Sequence, residues 1–265
     1  MHRAFILAIT LATLASCSKH NDLPTEKPDT ATNTQKAAPV KALAERTISF
    51  SGINWTVRDE AGTSGPDDNY WSSSTSNVWV DASGHLHMKI RKDAATGRWY
   101  CAEVTSQQSF GYGTYVWKIE GRVDQLDKNI VFGLFNYKAG DDGHHEVDIE
   151  FARWGNNAWP NYNYTVYPSS GDPDSNAHHE FELALNGTYT THTFYRTSSA
   201  VSYRGYHGHT EDINNSFFPW TTPAGFPVST LALPVHMNLW LFGHQAPSNG
   251  QEVELIIHQF IYRPL

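Results

Sequence analysis

Glu146-Val147-Asp148-Ile149-Glu150 alternates acidic and apolar residues. Successive side chains of a strand take opposite faces, so Val147, Ile149 and the following Phe151 turn into a core. Glu146, Asp148 and Glu150 then turn together towards water or a cleft. Any half-exposed strand shows such alternation, so the surrounding sequence has to decide between a solvated face and a site. Three carboxyls on one face repel, and repulsion raises a carboxyl pKa enough to keep one acid protonated near neutrality. A protonated acid beside an ionised one is what cleavage of a glycosidic bond requires.

Outward from this stretch the pattern stays β. His85-Leu86-His87-Met88-Lys89-Ile90 and Tyr115-Val116-Trp117-Lys118-Ile119 alternate, and 129–137 is a longer apolar run suited to a strand covered on both faces. Further strands are expected at 99–106, 145–152, 161–167, 180–185, 191–197, 200–206, 235–242 and 252–262. Turn pairs punctuate them: Ser83-Gly84, Thr96-Gly97, Asp142-Gly143, Asn186-Gly187 and Asn249-Gly250. No stretch keeps a 3.6-residue apolar period with caps, and no 20–50-residue repeat is visible. The expectation is all-β: a two-sheet jelly-roll sandwich whose curved sheet forms a concave substrate cleft.

The 265 residues carry a net charge of −8, which argues against nucleic acid as a partner, because phosphate binding needs a basic patch. Aromatic residues make up 13% of the chain, with 9 Trp and 13 Tyr, and a cleft rich in them suits the apolar faces of sugars. Most of these rings still belong to the core.

The N-terminus reads as a targeting segment. His2 and Arg3 precede an apolar run over 4–12, too short to span a bilayer, and Leu14-Ala15-Ser16-Cys17 follows. This resembles a bacterial lipobox, which implies a signal peptide over 1–16, lipidation of Cys17 and, with Ser18 next, sorting to the outer membrane of the cell envelope. An ordinary cleaved signal peptide and a chance Cys are the competing readings. Residues 17–46 have few large apolar side chains and are expected to be a disordered tether reaching roughly 30 Å from the membrane. Cys101, left without a partner, is expected to be a small buried hydrophobe.

Three segments resemble the glycoside hydrolases of family 16, a family that includes lichenases (β-1,3-1,4-glucanases), laminarinases, agarases, carrageenases and xyloglucan transglycosylases. They are Glu146 to Phe151, Phe110-Gly111-Tyr112-Gly113-Thr114-Tyr115, and Met237-Asn238-Leu239-Trp240. The resemblance covers 47–265 and implies a concanavalin A-like jelly roll. The E-x-D-x-E spacing is the unbulged, lichenase-like one, and it keeps all three acids on one face.

The Cα atoms of Glu146 and Glu150 should lie roughly 13 Å apart along a strand. Leaning side chains and concave curvature bring the carboxyls within reach of the 5–5.5 Å or so that retaining enzymes use. The resemblance assigns Glu146 as nucleophile, Glu150 as general acid/base and Asp148 as the group that tunes the nucleophile. It also suggests substrate contacts at Glu103, Asn238 and Trp240. Tyr112, Phe135, Trp154 and Tyr164 are candidate stacking platforms. His144 and His145 are adjacent, so at most one shares the acids' face, and His178-His179 has no metal-ligand spacing. No cofactor is required. The resemblance allows a structural Ca²⁺, although no acidic cluster here has a supporting spacing.

Elsewhere the pattern departs from lichenases. His144-His145 replaces Trp-Asp before the nucleophile, Thr105 stands where an Arg is usual, and Ala152-Arg153-Trp154-Gly155 replaces Leu-Gly after the signature. Arg153 is a candidate for receiving an anionic sugar or for pairing with a carboxylate. Overall, the sequence implies a monomeric, retaining endo-glycoside hydrolase of a β-1,3-1,4- or β-1,3-glucan. Its alternatives are a transglycosylase and a non-catalytic surface glycan-binding lipoprotein on the same fold.

Overall fold

The computed structural model describes residues 46–265. The targeting segment, Cys17 and all but the last residue of the expected tether lie outside them, and that last residue, Arg46, opens the first strand. In chain order the described strands are β1 (Arg46–Phe50), β2 (Ile53–Val57), β3 (Thr63–Ser64), β4 (Asn69–Trp71), β5 (Val78–Val80), β6 (Leu86–Lys92), β7 (Trp99–Phe110), β8 (Gly113–Glu120) and β9 (Ile130–Asn136). They continue with β10 (Val147–Phe151), β11 (Tyr162–Val166), β12 (Ala177–Phe181), β13 (Tyr189–Arg196), β14 (Val201–His207), β15 (Ser216–Thr221), β16 (Leu233–Leu241) and β17 (Val253–Pro264). Helix is confined, among the described residues, to single 3₁₀ turns such as Val123–Gln125 and Phe242–His244. No described helix is long and apolar enough to cross a membrane.

Two antiparallel sheets form a jelly roll. The first runs β1-β2-β7-β16-β9-β10-β11-β12. The second runs β5-β6-β17-β8-β13-β14-β15. Between them β6 pairs with β7 at Arg91 and Lys92, and β4 runs parallel to β7 at Tyr70 and Trp71.

Alternation decides which face of the first sheet is core. One cross-strand rung joins Ile149, Leu134, Met237, Val104 and Val57, all fully buried. The next joins Phe151, Phe132, Leu239 and Ala102, buried to within 2%. Each such large side chain stabilises the fold by about 1.5–3 kcal/mol relative to exposure. A one-residue slip of β10 would drive carboxylates into these rungs and turn the apolar residues out, so the register is strongly specified.

Two strand expectations need correcting. Residues 182–185 do not continue β12. Their backbone is taken by side chains instead: Leu183 N–H donates to Asn161 Oδ1 at 2.7 Å, and Leu185 N–H donates to Asp124 Oδ2 at 3.0 Å. Strand β10 begins at Val147 rather than 145, because His145 holds a left-handed φ of 55°. Glu146 stays tied to the next strand's exit all the same, its carbonyl accepting from Tyr167 N–H at 2.9 Å.

Candidate active site

The outer face of the first sheet is floored by two polar rungs. Glu150, Gly133, Asn238 and Glu103 align across β10, β9, β16 and β7. Asp148, Phe135, His236 and Thr105 align beside them across the same four strands. A trough of about 570 Å³ lies over these rungs, and Glu146, Asp148, Glu150, Glu103, Phe135, Asn238 and Trp240 all line it. Gly133 leaves room for Asn238, since a Cβ there would stand 2.5 Å from Asn238 Oδ1 and the amide would have to shift. That oxygen is buried and has no hydrogen-bond partner among the described residues. A buried unpaired acceptor is costly.

No Arg, Lys or His pairs with the three acids of β10 among the described residues, so burial dominates their titration. Burial pushes Glu150 up to about 8, and the charge of Glu146 adds to the rise. Glu146 is raised to about 7 by burial, which a hydrogen bond from Asp148 partly offsets and the Asp142 charge reinforces. Asp148 is driven well above the carboxylate range by burial and then by its two acidic neighbours, so it keeps its proton and donates it in a hydrogen bond to Glu146. Such a trio titrates as a unit, and its protons belong to the group rather than to single residues.

Glu103, in the same trough, behaves in the opposite way. Burial alone would raise its pKa, but the hydrogen bond and charge of His236, followed by those of Arg58, outweigh it and hold the carboxyl below its usual range. Arg58 Nη1 donates to Glu103 Oε2 at 2.7 Å, and His236 Nδ1 lies 3.1 Å from Oε1. Arg58 is itself placed by Ser64 Oγ at 2.9 Å and by the Trp71 ring, whose centroid is 4.2 Å from its guanidinium carbon. His236 stacks on Phe135 at 4.9 Å.

Three expected platforms lie elsewhere. Register puts Tyr164 opposite Ile149, on the core face, where it is fully buried and stacks on Tyr203 at 4.3 Å. Tyr112 sits at the end of the sandwich, its carbonyl accepting from the Tyr262 hydroxyl at 2.7 Å, and is not among the trough residues. Trp154 stands behind Trp240, 6.4 Å between ring centroids, and does not reach the trough. Arg153 is paired with Glu182 at 2.6 Å and receives nothing in the trough. His144 bonds the Gly171 carbonyl and His145 the Ser229 hydroxyl, so both histidines fasten the loop before β10 and neither lines the trough. Cys101 is buried, and burial pushes its thiol up to about 12.

Sequence reasoning missed Arg58, Tyr137, Asp142, Tyr167 and His236. A period-2 signal was available for two of them: His236 lies two residues before Asn238, and Tyr137 two after Phe135. Tyr137 donates its hydroxyl to Asp142, and the Tyr167 phenol is pushed up by burial and by the charges of Asp148, Glu146 and Glu150. Nothing local marks Arg58, which arrives from β2's exit. Among the described residues no group of three or more His, Cys, Asp or Glu is arranged to hold a metal ion.

Comparison with solved structures finds the same jelly-roll fold in β-glucanases. A Bacillus licheniformis β-glucanase matches with a TM-score of 0.59 at 18% identity, covering 81% of this chain and 94% of that one. A β-1,3-1,4-glucanase (lichenase) derived from a mouse hindgut metagenome gives 0.57 at 18% identity, covering 80% and 93%. A glycosyl hydrolase family 16 protein of Mycobacterium smegmatis gives 0.57 at 18% identity, covering 78% and 90%. At such identity the likeness is one of fold. No family model matches the sequence, and no curated protein matches it.

Proposed function

We propose that the chain is a retaining, endo-acting glycoside hydrolase of a neutral β-linked polysaccharide, with mixed-linkage β-1,3-1,4-glucan as first substrate and β-1,3-glucan next. The observation that carries this reading is the set of three carboxyls on one wall of a trough, Asp148 buried and Glu146 and Glu150 half-buried, with no cationic partner among the described residues and with Glu146 raised to about 7 and Glu150 to about 8. Near neutrality the group holds protons and a negative charge together, which double displacement needs.

Glu146 as carboxylate attacks the anomeric carbon. The bond to the departing sugar breaks, and Glu150 gives its proton to the leaving oxygen. Water then attacks the same carbon while Glu150 takes its proton, and the ester to Glu146 breaks, so one water is consumed per bond. Asp148, donating to Glu146, favours the carboxylate at the moment it leaves. Side chains and water supply every step. The trough supports endo action because hollows continue beyond it. One is lined by Thr56–Glu60 and shares Arg58, Glu103 and Tyr137 with the trough. Another, at Asp67, Asp68 and His244, adjoins the trough residues Gly65 and Pro66.

The test is a panel of β-glucans, xyloglucan and galactans read by new reducing ends and oligosaccharide masses. Internal cleavage by the native chain and its loss in Glu146→Gln support the reading. Tight binding without cleavage would replace it with a glycan-binding protein, and products longer than the input would replace it with a transglycosylase. From the sequence of residues 1–17, Cys17 is proposed as the lipidated anchor in an outer membrane. Labelled fatty acid should enter the chain and be lost in Cys17→Ala.

A further inference from the structure

The outer face of the second sheet carries a groove of about 550 Å³, nearly the size of the catalytic trough. Its floor is again built of cross-strand rungs. Thr114, Tyr195, Ser202 and Thr221 align across β8, β13, β14 and β15. Val116, Thr193 and Arg204 align beside them. The core-facing neighbours in the same strands are Tyr115, Phe194 and Tyr203, buried to within 2%, so alternation separates a hydroxyl-rich outer face from an aromatic inner one.

A bulge opens the groove. Tyr203 pairs with Trp220 and Gly205 with Phe217, so Phe218 and Pro219 of β15 together face Arg204 alone. Phe218 takes a left-handed φ of 48°, and Pro219 has no N–H to offer the ladder. The strand is thereby bent away beside Arg204. Among the described residues the Arg204 guanidinium has no hydrogen-bond or ion-pair partner, although its carbonyl accepts from Thr193 Oγ1 at 3.1 Å. At the rim, by contrast, Arg263 is paired with Glu211. Tyr195 is 38% exposed, with neither an aromatic partner nor a bond to its hydroxyl among the described residues.

An exposed ring, a free planar guanidinium and a row of hydroxyls are complementary to a sugar: an apolar face for the ring and vicinal hydroxyls for the fork of N–H groups. With Glu211 held by Arg263 at the rim, Arg204 is the one unpaired charge of the lining among the described residues, and its planar fork can receive two vicinal hydroxyls of a sugar. We infer that this groove is a second polysaccharide-binding site, taking a neutral β-linked glucan segment on the face opposite the catalytic trough. It binds without cleaving, because the acid in its lining, Glu211, is already held by an arginine. The choice of ligand rests on the glycan reading of the trough, and the experiment separates the two.

Affinity electrophoresis in gels containing mixed-linkage glucan or β-1,3-glucan measures retention of the full chain in a Glu146→Gln background, where no polymer is consumed. Turnover of short oligosaccharides, which fill the trough alone, is measured with Glu146 intact. Tyr195→Ala and Arg204→Ala should each weaken polymer retention about fivefold or more while leaving oligosaccharide turnover unchanged. Unchanged retention in Tyr195→Ala, a surface truncation that leaves the fold intact, overturns the inference, as does failure of the Glu146→Gln chain to be retained by either glucan. Tyr195-dependent retention by a chain whose native form cleaves no oligosaccharide would sink the catalytic reading and leave the groove standing.

Discussion

Two sets of carboxyls share one trough, and their pKa values are shifted in opposite directions. Among the described residues Glu146, Asp148 and Glu150 have no cationic partner, and burial lifts all three. Glu103 is buried too, more than Glu146 or Glu150, yet Arg58 and His236 keep it ionised. Burial therefore does not set the charge; the partner does. The difference matches two kinds of work. Groups that pass protons are left unpaired near neutrality, while a group that holds a sugar hydroxyl needs a permanent charge in a fixed place.

The comparison breaks most visibly at the acids. Glu150→Gln and Glu146→Gln should each lower kcat/KM on a β-glucan by about 10³-fold, near 4 kcal/mol. With a fluoride or dinitrophenyl leaving group, Glu150→Gln should recover glycosyl transfer to Glu146, because such groups leave without a proton. Recovery in Glu146→Gln instead would exchange the two roles.

Stability should move in opposite directions at the two places. A carboxyl raised from 4.5 to about 8 binds a proton in the folded state that the unfolded chain has released, so its contribution is favourable below the ordinary value and is lost as pH rises to the folded one. Glu150→Gln should thus stabilise the protein by about 2 kcal/mol at pH 8 and by little at pH 5 in urea unfolding. The depressed Glu103 has the reverse sign: its stabilisation is present above the usual carboxylate range and lost as pH falls through its folded value. Glu103→Gln should cost about 1–2 kcal/mol at pH 7, and the cost should shrink in acid. Equal responses to pH at both sites would dissolve the distinction.

A smaller change separates binding from chemistry. Arg58→Gln leaves Glu103 with His236 alone, and KM should rise about tenfold with kcat within about twofold. A drop confined to kcat would place Arg58 among the reacting groups. Smallest of all, Asp142→Asn removes a charge that raises Glu146, so the acid limb of the kcat/KM profile should move down by less than about one pH unit, with the alkaline limb set by Glu150 unmoved.

Alternation is why so much of the site was legible. Glu146, Asp148 and Glu150 announce a shared face through a period of two, and the block ending in Asn238 and Trp240 announces another. Both prove to line the trough once β16 and β10 flank β9. The same rule could not sort the aromatics. Tyr164 and Phe135 look alike in sequence, but register places one opposite Ile149 and the other opposite Asp148, which sends them to opposite faces of the sheet. Strand ends were misplaced where a side chain captured the backbone, as Asn161 does at Leu183.

What residue order determined unaided was periodic: strands rather than helices, a core face for Val147, Ile149 and Phe151, and three acids crowded together. These follow from the backbone's own pleat and need no knowledge of neighbours. What tertiary structure alone decided was pairing across long separations. Arg58 reaches Glu103 over 45 positions and His236 reaches it over 133, and those two contacts turn one buried acid into a fixed anion. No local pattern encodes them, because the field at a carboxyl depends on whatever the fold brings within a few ångströms, however distant it is along the chain.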